Sequence, residues 1–202
     1  MLTSRLLRAD EYDRFIAFNQ TNNGAAVTTD YLRNALPRVF YRPDQPDRWV
    51  AGYVVNAQAP FRYLRVLTAD VRARILRRHD LTETDLVEIT LLSRSPGFRW
   101  TPIEREWYYL TSLYDALRTG RRVVLGGTVE ESHRRTQMVI LDQLLYEGNL
   151  NFFGRTKRGW LYYATRAGVL MNFARHVVNR LWTALLGRLN QFRHLSGRSA
   201  TE

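Results

Sequence analysis

Residues 85–107 change from a strand pattern to a helix start within a few positions, and this change constrains the fold more than any other feature of the sequence. The segment from Leu86 to Leu92 is apolar and contains several β-branched side chains, which favours a buried strand. The segment from Arg94 to Arg99 interrupts that pattern with a Pro-Gly pair. A strand that leads directly into a helix is a building unit of folds that mix both elements around one core.

The helix after this turn has a strong start signal. Thr101 and Glu104 have the spacing of a capping box, and Pro102 occupies the first helical position. Gly120 is placed to end the helix. One stripe of this helix collects five apolar side chains: Ile103, Trp107, Leu110, Tyr114 and Leu117.

The turn itself allows two interpretations. Arginines beside the amides of a helix start suit an anion, because those amides lack partners and the helix dipole is positive there. Most turns between a strand and a helix bind no ligand, and the same residues also fit such an ordinary turn.

The rest of the chain alternates between strand and helix patterns. Strands are predicted at 3–7, 38–42, 48–56, 87–92 and 122–129, with two more within 149–165 that are joined by the turn GRTKRG. Helices are predicted at 10–19, 30–36 (capped by Thr29), 68–78, from Ser132 to near Gly148, and at 167–195. The order indicates the mixed α/β class.

Composition limits the kinds of site. The chain lacks cysteine, which excludes disulfides and thiolate metal ligands, and no histidine pair has zinc-ligand spacing, so we expect no metal. No run of about 18 apolar residues and no leader peptide are evident, so we expect a cytoplasmic protein. The net charge of +11 favours an anionic partner.

Basic residues dominate the end of the chain. Between Asn149 and Thr201 there are nine arginines and lysines and no acid. The predicted helix 167–195 has an apolar stripe of Leu170, Phe173, Val177, Leu181, Leu185, Leu189 and Phe192. Such a helix either lies on an anionic membrane, which would make the protein peripheral to it, or packs on its own sheet or on a second copy in a homodimer. No motif for nucleic-acid binding accompanies the charge, so nucleic acid is not expected as a partner.

Two stretches make the chain similar to the GNAT superfamily of N-acetyltransferases. Arg94 and Gly97 match the Arg-x-x-Gly loop of that family, and VILDQLLYEGNLNFFG resembles its next helix and strand. The hairpin Arg38–Asn56, with VAGYVV, resembles its second and third strands. The resemblance covers residues 1–165 and implies a mixed, mostly antiparallel sheet flanked by helices. Residues 166–202 are predicted to form an additional basic amphipathic helix and tail.

The resemblance also implies a function. Acetyl-CoA or a longer acyl-CoA would be the co-substrate, held by a loop made of Leu91, Leu92, Ser93, Arg94, Ser95, Gly97, Phe98 and Arg99. An amine would be the acceptor. Arg99 replaces the last small residue of the family loop, and Pro102 removes one amide from the helix start.

Two residues are candidates for proton transfer. Glu88 is a carboxylate within an apolar strand, and burying a carboxylate is costly. It is therefore a candidate general base, and the alternative is a side chain that faces solvent or pairs with an arginine. Tyr146 matches the family tyrosine that protonates the departing thiolate. The alternative interpretation is that the Tyr146 ring only packs on the core at the end of a helix. The competing function is that of a non-catalytic GNAT-fold protein that binds a membrane or a partner.

Overall fold

The computed structural model of the chain describes residues 1–152 and 155–196, with the backbone alone for residues 152, 155, 181 and 184–196. The strands are β1 Thr3–Leu6, β2 Leu36–Arg42, β3 Gln45–Asn56, β4 Leu86–Arg94, β5 Val123–Thr128, β6 Gln143–Phe152 and β7 Arg155–Thr165. The helices are α1 Tyr12–Asn23, α2 Thr29–Arg33, α3 Arg62–Arg65, α4 Ala69–Arg78, α5 Pro102–Arg118, α6 Glu131–Ile140 and α7 Arg166–Ser196.

One seven-stranded sheet, in the order β1-β2-β3-β4-β5-β7-β6, organises the described chain. Every neighbouring pair of strands is antiparallel except β4 and β5, which are parallel. Helices cover both faces of the sheet. This arrangement confirms the mixed α/β class with a mostly antiparallel sheet.

The two faces of the sheet have separate cores. Helix α5, the end of α6 and the start of α7 pack on one face, where Tyr108, Leu141 and Val169 meet side chains of β4, β5 and β7. Helices α1 and α2 pack on the other face around Phe15. Helices α3 and α4 extend this second layer towards β6, around Leu64. Successive residues of β4 therefore point into different layers.

The predicted helix from Ser132 to near Gly148 is wrong in its second half. Helix α6 ends at Ile140, and residues 143–152 form β6, which pairs with β7 along its whole length. Gly148 and Asn149 are weak helix formers, so the antiparallel ladder with the next strand, β7, outweighs the local helical pattern. Thr28, and not Thr29, accepts the capping hydrogen bond at the start of α2. The turn predicted at 154–159 is already part of β7 from Arg155 onward, and residues 153 and 154 lie outside the described residues.

Helix α5 buries a face that mixes polar side chains with the core residues Tyr108, Leu113 and Ala116. Glu104, Thr111 and Asp115 are buried, whereas the stripe of Ile103, Trp107, Leu110 and Tyr114 is exposed. Asp115 contributes to this orientation, because its carboxylate accepts two hydrogen bonds from the guanidinium of Arg38, at 2.7 and 3.1 Å, and one from the Tyr53 hydroxyl at 2.7 Å. This network and the core contacts of Tyr108, Leu113 and Ala116 together leave the predicted apolar stripe outside.

Helix α7 runs between α5 and α6. Its Asn172 side chain donates to the carbonyl of Ile140 at the end of α6 (3.2 Å), and its Arg180 pairs with Glu106 of α5. Val169 is fully buried. Of the predicted apolar stripe, Phe173 packs on the core and Leu170 is exposed, while Leu181, Leu185, Leu189 and Phe192 lie outside the described side chains. Among the described residues, no helix is long and apolar enough to cross a bilayer.

Candidate functional site

Strands β4 and β5 separate after only three paired positions. The pairs run from Leu86 with Val123 to Glu88 with Leu125. Beyond them, β4 continues to Arg94 along β3, and β5 continues along β7. The two strand edges therefore form an open wedge in the middle of the sheet, with backbone amides and carbonyls on both sides that do not pair with each other.

A bulge lies on the β4 side of this wedge. Thr90 pairs with Val54 and Ser93 pairs with Gly52, so two residues of β4 oppose one residue of β3. Leu91, within the bulge, has a φ of 53°, which a leucine rarely adopts. Such strain is characteristic of sites where the backbone is aimed at a ligand.

The loop that follows β4 is a fixed turn. The amide of Phe98 donates to the carbonyl of Ser95 (3.2 Å), Pro96 is the second residue of this turn, and Gly97 has a φ of 79°. That arrangement is typical of a type II turn, whose third position requires glycine. The rings of Phe98 and Trp100 pack edge to face at 5.3 Å, and the Trp100 ring lies 5.2 Å from that of Tyr108, which holds the loop against α5.

The first turn of α5 is already capped by its own side chains. The carboxylate of Glu104 accepts from the amide of Thr101 (3.0 Å) and pairs with Arg42 (2.7 Å), while the Thr101 hydroxyl accepts from the amide of Glu104 (3.2 Å). Burial raises the pKa of Glu104, but these hydrogen bonds and the charge of Arg42 outweigh it and keep the pKa below its ordinary value. The capping box predicted from the sequence is present.

The loop before α5 contains several free donors. Within the described chain, the amides of Gly97, Arg99 and Trp100 make no hydrogen bond, whereas the amide of Ser95 donates to a carbonyl of β3. The exposed guanidinium groups of Arg94 and Arg99 form no ion pair with any described residue. This segment thus offers unpartnered N–H groups and two cations beside the wedge.

Glu88 lies at the closed end of the wedge and is fully buried (0% exposed). Its Oε1 accepts from the Tyr31 hydroxyl (2.7 Å), the Asn56 amide (3.3 Å) and the backbone of Arg62 (2.8 Å), and its Oε2 accepts from the backbone of Tyr63 (3.1 Å). Burial raises the pKa of Glu88, and the four hydrogen bonds oppose that rise. A carboxylate with a raised pKa is better matched to accepting a proton near neutral pH.

Tyr63, which the sequence did not single out, crosses the wedge from α3. Its hydroxyl donates to the carbonyl of Ile89 (3.3 Å), the first β4 residue beyond the paired segment. Across the gap, a Cβ on Gly127 of β5 would lie 2.9 Å from the Tyr63 ring and 2.7 Å from Leu161. Glycine at this position therefore allows the ring to approach β5. Burial, followed by the charge of Glu88, raises the pKa of Tyr63 to about 12, so its hydroxyl stays protonated at neutral pH.

Tyr146 occupies a different part of the molecule. It belongs to β6, which β7 separates from β5, and its ring folds over Gly148 of its own strand. There it lines a cavity of about 360 Å³ together with Arg74, Arg78 and His79. The structure thus brings together Glu88 and the whole predicted loop 91–99, but not Tyr146. No group of metal-ligating side chains occurs among the described residues.

No protein-family model and no curated protein sequence matches the chain. Solved structures do. FeeM, an N-acyl amino acid synthase from uncultured soil microbes, is 13% identical with a TM-score of 0.63, over 83% of this chain and 91% of that one. A polyamine N-acetyltransferase of Drosophila melanogaster is 11% identical with a TM-score of 0.53, over 82% and 100%. The yncA protein of Salmonella typhimurium, in complex with its cofactor acetyl-CoA, is 13% identical with a TM-score of 0.50, over 82% and 94%. The chain has the GNAT fold, as the sequence resemblance predicted.

Proposed function

We propose that the protein is an N-acyltransferase that moves an acyl group directly from acyl-CoA to an amine. The observation that carries this proposal is the open wedge between β4 and β5, with a strained bulge on one edge and a loop of unpartnered amides at its mouth. A thioester needs a slot of this kind, in which an extended arm binds to strand edges and the diphosphate remains at the surface.

The co-substrate would lie along the predicted loop. The amides of Gly97, Arg99 and Trp100 would donate to the diphosphate, with Arg94 and Arg99 neutralising its charge. Leu91 and Leu92 would contribute backbone at the bulge. Ser93 and Ser95 would act only as scaffold, because the Ser93 hydroxyl and the Ser95 amide already donate to backbone carbonyls. The acetyl-CoA in the yncA structure supports a CoA thioester as the ligand.

The chemistry requires two proton transfers. The amine nitrogen attacks the thioester carbonyl carbon, a backbone amide at the bulge stabilises the oxyanion, and the carbon–sulfur bond breaks. We assign the proton of the amine to Glu88, relayed by the Tyr31 hydroxyl that already donates to it at 2.7 Å. The departing thiolate takes its proton from the Tyr63 hydroxyl at the wedge, and solvent restores that proton.

Binding is tested by thermal unfolding with acetyl-CoA and with longer acyl-CoAs. We expect the melting temperature to rise with ligand concentration, because a ligand at a hundred times its Kd stabilises the folded state by about 2.7 kcal/mol. The double variant R94Q/R99Q should lose most of this shift in melting temperature. The control R33Q/R77Q changes two exposed arginines, on α2 and α4, and should keep the shift. Unchanged melting curves with every acyl-CoA would remove the enzyme proposal.

Catalysis is tested by following free CoA thiol with a panel of polyamines and amino acids, the classes that the neighbours' names suggest. We expect E88Q and Y63F each to lower kcat by about 10²-fold, the usual contribution of one acid–base group. Y146F is the matched control and should retain activity. If acyl-CoA binds without turnover on any amine, the non-catalytic alternative replaces the transferase.

A further inference from the structure

Helix α5 has an outward apolar stripe that no described part of the chain covers. Ile103, Trp107, Leu110 and Tyr114 follow one another at three- and four-residue steps, and all four are exposed, Ile103 to 73%. An apolar stripe on a helix ordinarily faces the core. A continuous apolar stripe that is exposed on the surface of a monomer instead marks an interaction site.

The neighbouring helix α7 continues this surface. It lies beside α5 in the same layer, joined to it by the ion pair between Arg180 and Glu106. Its inner side carries the buried Val169, and its outer side carries exposed Met171, Val178 and Trp182. Two adjacent helices therefore present apolar side chains, including two tryptophans, on the side of the layer that faces away from the sheet.

The charge of this surface is positive. The three acids of α5 are engaged elsewhere: Glu104 pairs with Arg42, Glu106 with Arg180, and Asp115 with Arg38. Helix α7 contains no acid. Exposed arginines remain, among them Arg118, whose guanidinium lies 5.5 Å from the centre of the Tyr114 ring, and Arg175 on α7.

We infer that the outer face of α5 and α7 docks on an anionic lipid surface. Apolar side chains, tryptophans and unpaired arginines on adjacent helices are what partitioning into a negatively charged interface requires. A second copy of the chain is a poorer occupant. Packing α5 on its own copy would bring exposed arginines together, Arg118 with Arg118 or Arg118 with Arg99, depending on helix direction.

The experiment is flotation of the full chain with vesicles of phosphatidylcholine alone and of phosphatidylcholine mixed with phosphatidylglycerol. We expect binding to the mixed vesicles only, and weaker binding as salt is raised. L110Q and I103Q should each reduce partitioning by about tenfold, because each removes one apolar side chain from the interface. Leu6→Gln is the control, since Leu6 on β1 is as exposed as Leu110, 44% in both, and lies on the sheet edge.

Three results would overturn the inference. The first is the absence of binding to either kind of vesicle. The second is equal loss of binding in L110Q and in Leu6→Gln. The third is a wild-type dimer by light scattering that L110Q converts to a monomer, which would assign the surface to a second copy. None of these outcomes depends on transferase activity, so each tests the surface separately from the proposed reaction.

Discussion

At the residue scale, the clearest electrostatic stabilisation comes from Glu11. Both of its carboxylate oxygens accept from the guanidinium of Arg5, at 2.6 and 2.5 Å, and one also accepts from the amide of Arg8. The hydrogen bond from Arg5 is the main cause that lowers the pKa of Glu11 from 4.5 to about 2, with burial opposing it. This pair ties β1 to the turn that leads into α1.

A pH dependence of stability follows from that pKa. A carboxylate with a lowered pKa stabilises the fold fully above pH 4.5, and this contribution disappears as the pH falls towards 2. We expect a loss of up to about 3 kcal/mol in the free energy of unfolding across that interval. Urea titrations at several pH values measure it. E11Q should be less stable at neutral pH and should lose less on acidification, and an unchanged slope in E11Q would contradict the assignment.

Glu88 shows how far a single residue can be interpreted from sequence. A carboxylate inside an apolar strand signals a use or a partner, and the structure supplies four hydrogen-bond donors. All four donors come from α2, α3 and the end of β3, and their approach depends on tertiary packing. The sequence therefore indicated the position but not its partners. Tyr63 gave no local signal at all, because its role depends on the gap that it crosses.

At the scale of elements, helices and strands were predicted correctly where several local sequence signals agreed with one another. The unit from β4 to α5 was predicted nearly in full, because the strand pattern, the Pro-Gly turn and the capping box all indicate the same boundaries. Only the end of β6, from Asn149 onward, was predicted as a strand. Leu144 and Leu145 continue the helical spacing of Val139 and Leu141, and the strand partners of residues 143–148 lie beyond the turn, at 159–163. The buried face of α5 was not foreseeable either, since Asp115 is stabilised by Arg38 and Tyr53 from distant strands.

The glycine at the wedge provides a test of strand β5. G127A should be destabilised by about 1–3 kcal/mol, because the new methyl group would overlap Tyr63 and Leu161 in a packed layer. G120A is the comparison. A Cβ at Gly120 would meet no atom within 4 Å, so only its left-handed φ of 76° opposes alanine, at about 1 kcal/mol. Thermal unfolding compares the two variants, and equal losses would show that the ring of Tyr63 moves aside freely.

At the scale of the whole molecule, α7 is part of the core at its start. Truncation after Thr165 removes Val169 and Phe173 from the cluster that contains Leu141. We expect the shortened chain to lose at least about 3 kcal/mol, as for deletion of large core side chains. A chain truncated after Thr183 keeps every described side-chain contact of α7 and should unfold near the wild-type temperature. A stable, cooperatively folding 1–165 fragment would show instead that the helix is an independent appendage.

The short parallel contact between β4 and β5 has a mechanical consequence. The sheet consists of two antiparallel blocks, β1 to β4 and β5 to β7, and only three pairs of residues join them in the sheet. We expect a small rotation about this seam to change the width of the gap while the ladders within each block stay intact. Ligands of different thickness would then fit by a tilt of one block against the other, with the strand pairing inside each block kept.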